Sequence, residues 1–161
     1  MRLDVSRAFV TEGFLQPFTA SLSFPAGLTD KPLDGDVAVR GTLQNRAGVL
    51  SLTMDVSYVL KGGCDRCCEE VRRTYETAVS VLLVREKQDE ENDDLIEVAG
   101  DFFEIDDLIS ESVLLSAPAK FLCKEDCRGL CPLCGQNLNV KNCDCRQTHS
   151  PFDRLKQDYN S

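Results

Sequence analysis

The stretch Cys123-Lys-Glu-Asp-Cys127-Arg-Gly-Leu-Cys131-Pro-Leu-Cys134-Gly-Gln-Asn-Leu-Asn-Val-Lys-Asn-Cys143-Asp-Cys145 holds six of the chain's nine cysteines within 23 residues. At its centre Cys131 and Cys134, two residues apart, sit on a tight turn, and Gly135 can adopt a positive φ that aims backbone amides at the sulfurs. This is how a zinc knuckle is built. Cys123 and Cys127 stand on one side of it and Cys143 and Cys145 on the other, so the stretch offers more thiolates than one tetrahedral ion needs.

A second device of the same kind lies upstream. Lys61-Gly62-Gly63-Cys64-Asp65-Arg66-Cys67-Cys68 again sets two thiols two residues apart beside glycines. Four cysteine pairs result, 64/67, 123/127, 131/134 and 143/145, with Cys68 left over, and eight thiols suffice for two four-thiolate sites holding one or two structural Zn²⁺ ions. The preferred pairing joins the two knuckles, Cys64/Cys67 with Cys131/Cys134, and leaves Cys123/Cys127 with Cys143/Cys145. The alternative is one site inside residues 123–145, with Cys64 and Cys67 free. Position at a Gly-Gly turn with Asp and Arg between the thiols argues that Cys64 and Cys67 are not buried.

The surroundings favour metal over disulfides. No apolar run approaches the ~18 residues of a membrane span, and the opening MRLDVSRAFVTEG lacks the apolar core of a secretory signal. The expected location is therefore the cytoplasm, where clustered cysteines bind metal or do redox chemistry. At 161 residues the chain suits one ordinary domain with a small appendage. The net charge of -9 is unevenly spread: residues 86–107 carry eleven Asp or Glu and one Lys, leaving the remainder at +1. The cysteine region is mildly basic, and its cations either offset thiolate charge or wait for a phosphate.

In chain order, residues 2–24 alternate weakly and predict short or edge strands around Pro17 and Pro25, and residues 27–35 read as a loop. Strict alternation from Val37 to Leu43 and from Val49 to Leu60, with a turn at residues 45–48, predicts a hairpin. Val71 to Val84 continues as a strand, which puts Cys64 and Cys67 at a hairpin tip. Residues 86–94 read as a solvated acidic loop, residues 95–98 as a short strand, and residues 102–105 as another or as an extended entry to the helix. Asp106 then caps a helix from Asp107 to Ser116, whose stripe of Leu108, Ile109, Ser112, Val113 and Leu115 packs on the sheet, and Pro118 ends it. Ser150, Pro151 and Asp153 form a capping pattern for a last short helix to Tyr159. His149, the single histidine, has no nucleophile or carboxylate at a telling spacing. The fold class is α+β: an antiparallel β-rich domain over residues 1–122 with one packed helix, followed by a Cys-rich zinc module over residues 123–161.

Two enzymatic readings compete. Cys131-Pro132-Leu133-Cys134 is similar to a glutaredoxin dithiol, so a thiol-disulfide oxidoreductase is the alternative function. That chemistry needs a helix after the first thiol, and Gly135, Asn137 and Asn139 break one. A zinc deaminase needs an upstream His-x-Glu, which is absent, and four thiolates leave no position for a catalytic water. The expected protein is not an enzyme.

Taken together, the β-rich first half, Cys64-x-Arg66-Cys67 at a turn, the apolar helix ending at Ala117-Pro118, Cys127-Arg128-Gly129-Leu130-Cys131-Pro132-x-Cys134-Gly135-x-Asn137-Leu138-Asn139 and Cys143-x-Cys145 closely resemble the YceD-type proteins. The resemblance spans nearly the whole chain. It implies a part in synthesis, processing or stability of large-subunit ribosomal RNA. Two partners fit the residues: ribosomal RNA through Arg66, Arg72, Arg73, Lys124, Arg128 and Lys141, or a basic ribosomal protein through the acidic loop. No RRM-type aromatic signature and no KH-type loop is present, so the charge map favours the protein partner. No small-molecule substrate and no membrane is expected.

Overall fold

A computed structural model of the chain describes residues 1–86 and 95–145. The elements in order are β1 (Arg2–Asp4), α1 (Ser6–Val10), β2 (Leu15–Leu22), β3 (Val37–Arg46), β4 (Val49–Gly63), β5 (Glu70–Val84), β6 (Leu95–Glu97), β7 (Phe102–Glu104) and α2 (Asp106–Ser116). The chain forms two compact units. One comprises Met1–Gly62 and Arg72–Ala119, and the other Gly63–Val71 with the described residues from Lys120 onward. Among the described residues no helix is long and apolar enough to cross a membrane.

The first unit is strand-rich. Its main sheet runs β2-β3-β4-β5-β6, and β1 pairs separately with β7. The β3–β4 hairpin follows from its alternation: Val37, Val39 and Leu43 face inward with Leu50, Leu52, Met54, Val56, Tyr58 and Leu60, all buried. Ala47 and Gly48, at φ 52° and 82°, form the two-residue turn whose twist matches the strands. Pro17 lies on β2, an edge strand, where a missing N–H costs no ladder bond. The sheet is not wholly antiparallel, because β6 lies parallel to the end of β5, with Leu83 opposite Ile96.

Three expectations are corrected in this unit. A second helix, α1, interrupts the weakly alternating start. Its five residues are too few to show a helical period, and it is held from outside: Asn45, itself buried, donates from Nδ2 to the Ala8 carbonyl at 2.7 Å. Asp106 is not a cap. Ile105 occupies that place with no side-chain bond, and the Asp106 carboxylate instead meets the amino group of Met1. Of the helical stripe, Ile109 and Val113 are buried, whereas Leu115 is 78% exposed. The end of α2 is tied to β4 by a 2.9 Å bond between Tyr58 Oη and Ser116 Oγ. The chain leaves α2 at Ala117, before Pro118, as expected.

Among its described residues the second unit has little regular structure beyond the β4–β5 tip. Its core is the cysteines themselves, with Cys64, Cys67 and Cys127 buried together and Val71, Leu122 and Cys123 packed against them. The expected helix from Ser150, His149 and the acidic residues 87–94 lie outside the described residues.

Candidate metal centre

Both turns are built alike, hydrogen bond for hydrogen bond. In the first, the Cys64 amide donates to the Glu69 carbonyl at 2.8 Å and the Cys68 amide to the Cys64 carbonyl at 2.9 Å. In the second, Cys131 donates to Gln136 at 2.8 Å and Gly135 to Cys131 at 2.9 Å. Cys68 and Gly135 both lie at positive φ, 61° and 71°. The closed loop directs following amides at the first sulfur of each turn, and the Arg66 amide lies 3.5 Å from Cys64 Sγ.

Cysteines distant in sequence complete each turn. Asp65 and Phe121 exchange two bonds, the Asp65 amide to the Phe121 carbonyl at 2.8 Å and the Phe121 amide to Asp65 Oδ2 at 2.6 Å. This clamp places Cys123 beside the hairpin tip. Cys67 Sγ lies 3.5 Å from Cys123 Sγ and Cys64 Sγ lies 3.8 Å from Cys127 Sγ. The eight thiols form two groups, Cys64, Cys67, Cys123 and Cys127, and Cys131, Cys134, Cys143 and Cys145, each with its sulfurs within 4.8 Å of one another. The expected eight are thus brought together, but the expected pairing is corrected. The hairpin tip joins Cys123/Cys127, and the central knuckle joins Cys143/Cys145. Cys64 and Cys67 are also 2% and 4% exposed, against the expectation for a glycine turn, because the four sulfurs converge on one another.

The donor set fits a divalent, thiophilic ion. A tetrahedron with metal–sulfur bonds of about 2.3 Å has edges of about 3.8 Å, close to the 3.5 and 3.8 Å separations of Cys67–Cys123 and Cys64–Cys127, whereas a disulfide needs about 2.05 Å. All nine cysteines are free thiols. The acidities point the same way. Burial pushes the Cys64 thiol up, but amides of Arg66, Cys123 and Cys67 outweigh it and bring it down to about 6. The Glu69 amide favours ionised Cys67, yet burial and the neighbouring thiols Cys123, Cys64 and Cys127 push it up to about 12. In the second group, amides of Cys134 and Leu133 lower Cys131 to about 6, and contact with Cys134, then burial and Cys143, raise Cys145 to about 12. Sulfurs this close cannot all ionise against one another, and a divalent cation removes that conflict. Each group supplies four thiolates, a closed tetrahedral shell, and two such structural ions would tie residues 63–71 and 120–145 into one folded unit.

The groups differ in exposure. Three of the four cysteines of the first are buried, while in the second Cys134 and Cys145 are exposed. Cys68 belongs to neither group and is exposed.

Residues around the thiols carry roles that spacing alone does not show. Asn139 Nδ2 lies 3.2 Å from Cys127 Sγ, and Asn139 Oδ1 accepts from the Arg128 amide at 2.9 Å. Asn137 Nδ2 reaches Glu69 Oε1 at 3.0 Å. Their one signal in the sequence is the Asn-x-Asn pattern after Gly135. Of the six basic residues considered for contacts, Arg66 is engaged internally, its guanidinium donating to the Cys127 carbonyl at 2.8 Å. Arg72 pairs with Asp34 in the first unit. Lys124 makes a loose exposed pair with Asp126 at 3.8 Å, and Arg128 and Lys141 are exposed. Arg73 lies half-buried on β5.

The family model described as "Large ribosomal RNA subunit accumulation protein YceD" matches residues 52–157. Uncharacterized protein Rv2926c of Mycobacterium tuberculosis and uncharacterized protein Mb2951c of Mycobacterium bovis are each 31% identical over 110 residues, covering 66% of this chain and 51% of theirs. The chain spans about half the length of these curated relatives. No solved structure matches it.

Proposed function

Since the chain belongs to the YceD family, named for large ribosomal RNA subunit accumulation, we propose that it is a non-enzymatic cytoplasmic factor in large-subunit biogenesis, held in shape by two structural zinc ions. The observation that carries the structural half is the convergence of eight thiols into two closed groups of four. Zinc is the ion of choice because tetrahedral all-thiolate sites with no open position suit its closed d shell and its indifference to ligand geometry. The ion holds the second unit together, where the described residues offer little apolar core.

Contact with the ribosomal partner is assigned to the exposed surfaces. Arg128, Lys124 and Lys141 are exposed, Lys124 in a loose pair with Asp126, and they suit phosphate. The acidic residues of 86–107 suit a basic ribosomal protein, and the charge map supports that partner more strongly. The thiol-disulfide reading gains no support, since Cys131 and Cys134 are two corners of a four-sulfur group rather than an isolated dithiol.

The test is to delete the gene, measure mature large-subunit ribosomal RNA against the small-subunit RNA, and complement with variants. The reading requires a selective loss of the large-subunit RNA, restored by the wild-type chain. Neutralising the acidic residues of 86–94 should abolish binding to a ribosomal protein, and replacing Arg128, Lys124 and Lys141 should abolish association with RNA. If the RNA ratio does not change on deletion, the reading fails.

A further inference from the structure

In the second unit the loop of residues 135–142 runs between the two ligand pairs of the second thiol group, Cys131/Cys134 before it and Cys143/Cys145 after it. Its side chains also serve the first group. Asn139 Nδ2 donates to Cys127 Sγ at 3.2 Å, and Asn137 Nδ2 donates at 3.0 Å to Glu69 Oε1, on the hairpin tip that carries Cys64 and Cys67.

These two side chains are held where they act. Asn137 Oδ1 accepts from the Asn139 amide at 2.9 Å and from Asn139 Nδ2 at 3.0 Å, and Asn139 Oδ1 accepts from the Arg128 amide at 2.9 Å, beside Cys127. The main chain follows the same route: the Leu138 amide donates to the Gly129 carbonyl at 2.9 Å, and the Leu130 amide to the Arg66 carbonyl at 3.0 Å. A loop whose ends belong to one thiol group is thus bonded along its middle to the other.

We propose, on the reading of both groups as metal sites, that they bind metal cooperatively, with Asn139 as the positioning residue that passes occupancy of the second group to Cys127 in the first. With the second group filled, both ends of residues 135–142 are fixed, and bringing Asn139 to Cys127 loses less chain entropy than it does from a loop with a loose end. The Asn139 N–H then meets the Cys127 thiolate in a charge-assisted bond that orients the sulfur for the first ion. The same bond works in reverse. With the first group filled, the Cys127 sulfur is fixed, and it holds Asn139 and with it the loop that must close on Cys143 and Cys145. Linkage requires the two effects to be equal. Partners of metal ligands change affinity by about ten- to a hundredfold, so a coupling of about tenfold is expected.

Cobalt titration of the metal-free full chain under reducing conditions tests it. Native mass spectrometry counts ions per chain, and alkylation at set free cobalt reads each group separately, through Cys64 and Cys67 or through Cys131 and Cys134. The double variant C143S/C145S leaves the four thiols of the first group in place and should lower that group's affinity about tenfold or more. Asn139→Ala keeps all eight thiols and adds no charge. It should weaken the first group about tenfold and shift its sulfur-to-cobalt charge-transfer band to lower energy, because the sulfur lone pairs lose a donor. It should weaken the second group as well, although it alters no thiol of that group. In the N139A background, C143S/C145S should have little further effect on the first group. Two ions bound per chain with a first-group affinity indifferent to C143S/C145S would overturn the proposal and leave both metal sites standing. So would an N139A that keeps the wild-type band and fills the second group as the wild type does. A chain that binds no cobalt would overturn the metal sites and the coupling together.

Discussion

Cys68 holds the backbone position in the first turn that Gly135 holds in the second. Its amide closes on the Cys64 carbonyl at 2.9 Å, as that of Gly135 closes on Cys131, and both residues have left-handed backbone. A side chain with a Cβ is strained there by about 1 kcal/mol relative to glycine. Cys68→Gly should therefore raise stability by about 1 kcal/mol in urea unfolding of the zinc-loaded protein, and Cys68→Val should lower it. In the same sample, mass spectrometry after alkylation should find Cys68 modified and the eight grouped cysteines protected, with two zinc ions per chain. Modification of Cys64 and Cys67 under those conditions would remove the first site.

Gly129 faces a harder limit than Cys68. It lies at φ 74°, and a Cβ there would stand 3.0 Å from the Arg66 carbonyl oxygen, which already accepts from the Leu130 amide at 3.0 Å. Backbone cannot swing aside as a side chain can. Gly129→Ala should cost about 2 kcal/mol and speed zinc release from the group containing Cys64, read with a coloured chelator. An unaltered release rate would show that this contact does not hold the site.

Zinc binding should release protons in a way the thiol acidities dictate. In the metal-free protein the lowered Cys64 and Cys131 contribute stability that is present above their ordinary value near 9 and lost as the pH falls through about 6. The raised Cys67 and Cys145 contribute in the opposite sense: their stability is present below 9 and lost as the pH rises through about 12. Cys123 and Cys143 are raised as well. At pH 7 each group therefore holds at least two protonated thiols, Cys67 with Cys123 and Cys145 with Cys143. Titration calorimetry of zinc in buffers of different ionisation enthalpy should yield about two or more protons released per ion. Fewer than one per ion would contradict the acidities.

Much of this architecture is legible in the sequence because it depends on local pattern. Period-two alternation gives β3, β4 and β5, Gly-rich turns give the hairpin tips, and short cysteine spacings give the ligand pairs. What joins one pair to another is not local. The Asp65–Phe121 clamp spans 56 residues and decides that Cys123, rather than Cys131, meets the hairpin tip. No spacing rule contains it. Leu115 illustrates a different limit: its place in the helical stripe is readable, but which residues of the stripe are buried, Ile109 and Val113 and not Leu115, is a property of the packed partner.

Asn45 is the residue through which the short α1 helix depends on the sheet. It is 1% exposed at the end of β3, donates from Nδ2 to the Ala8 carbonyl at 2.7 Å and the Phe9 carbonyl at 3.3 Å, and accepts from the Gly48 amide at 3.0 Å. One side chain thus satisfies the end of a helix and the turn of a hairpin. Asn45→Leu keeps approximate volume but strands the Ala8 carbonyl and the Gly48 amide, at a cost of about 2 to 3 kcal/mol. Its effect should be confined to the first unit: amide exchange should quicken at residues 8–10 and 47–49, while zinc content and cysteine protection stay at wild-type values. Loss of zinc together with that quickening would show that the two units do not keep their stabilities apart.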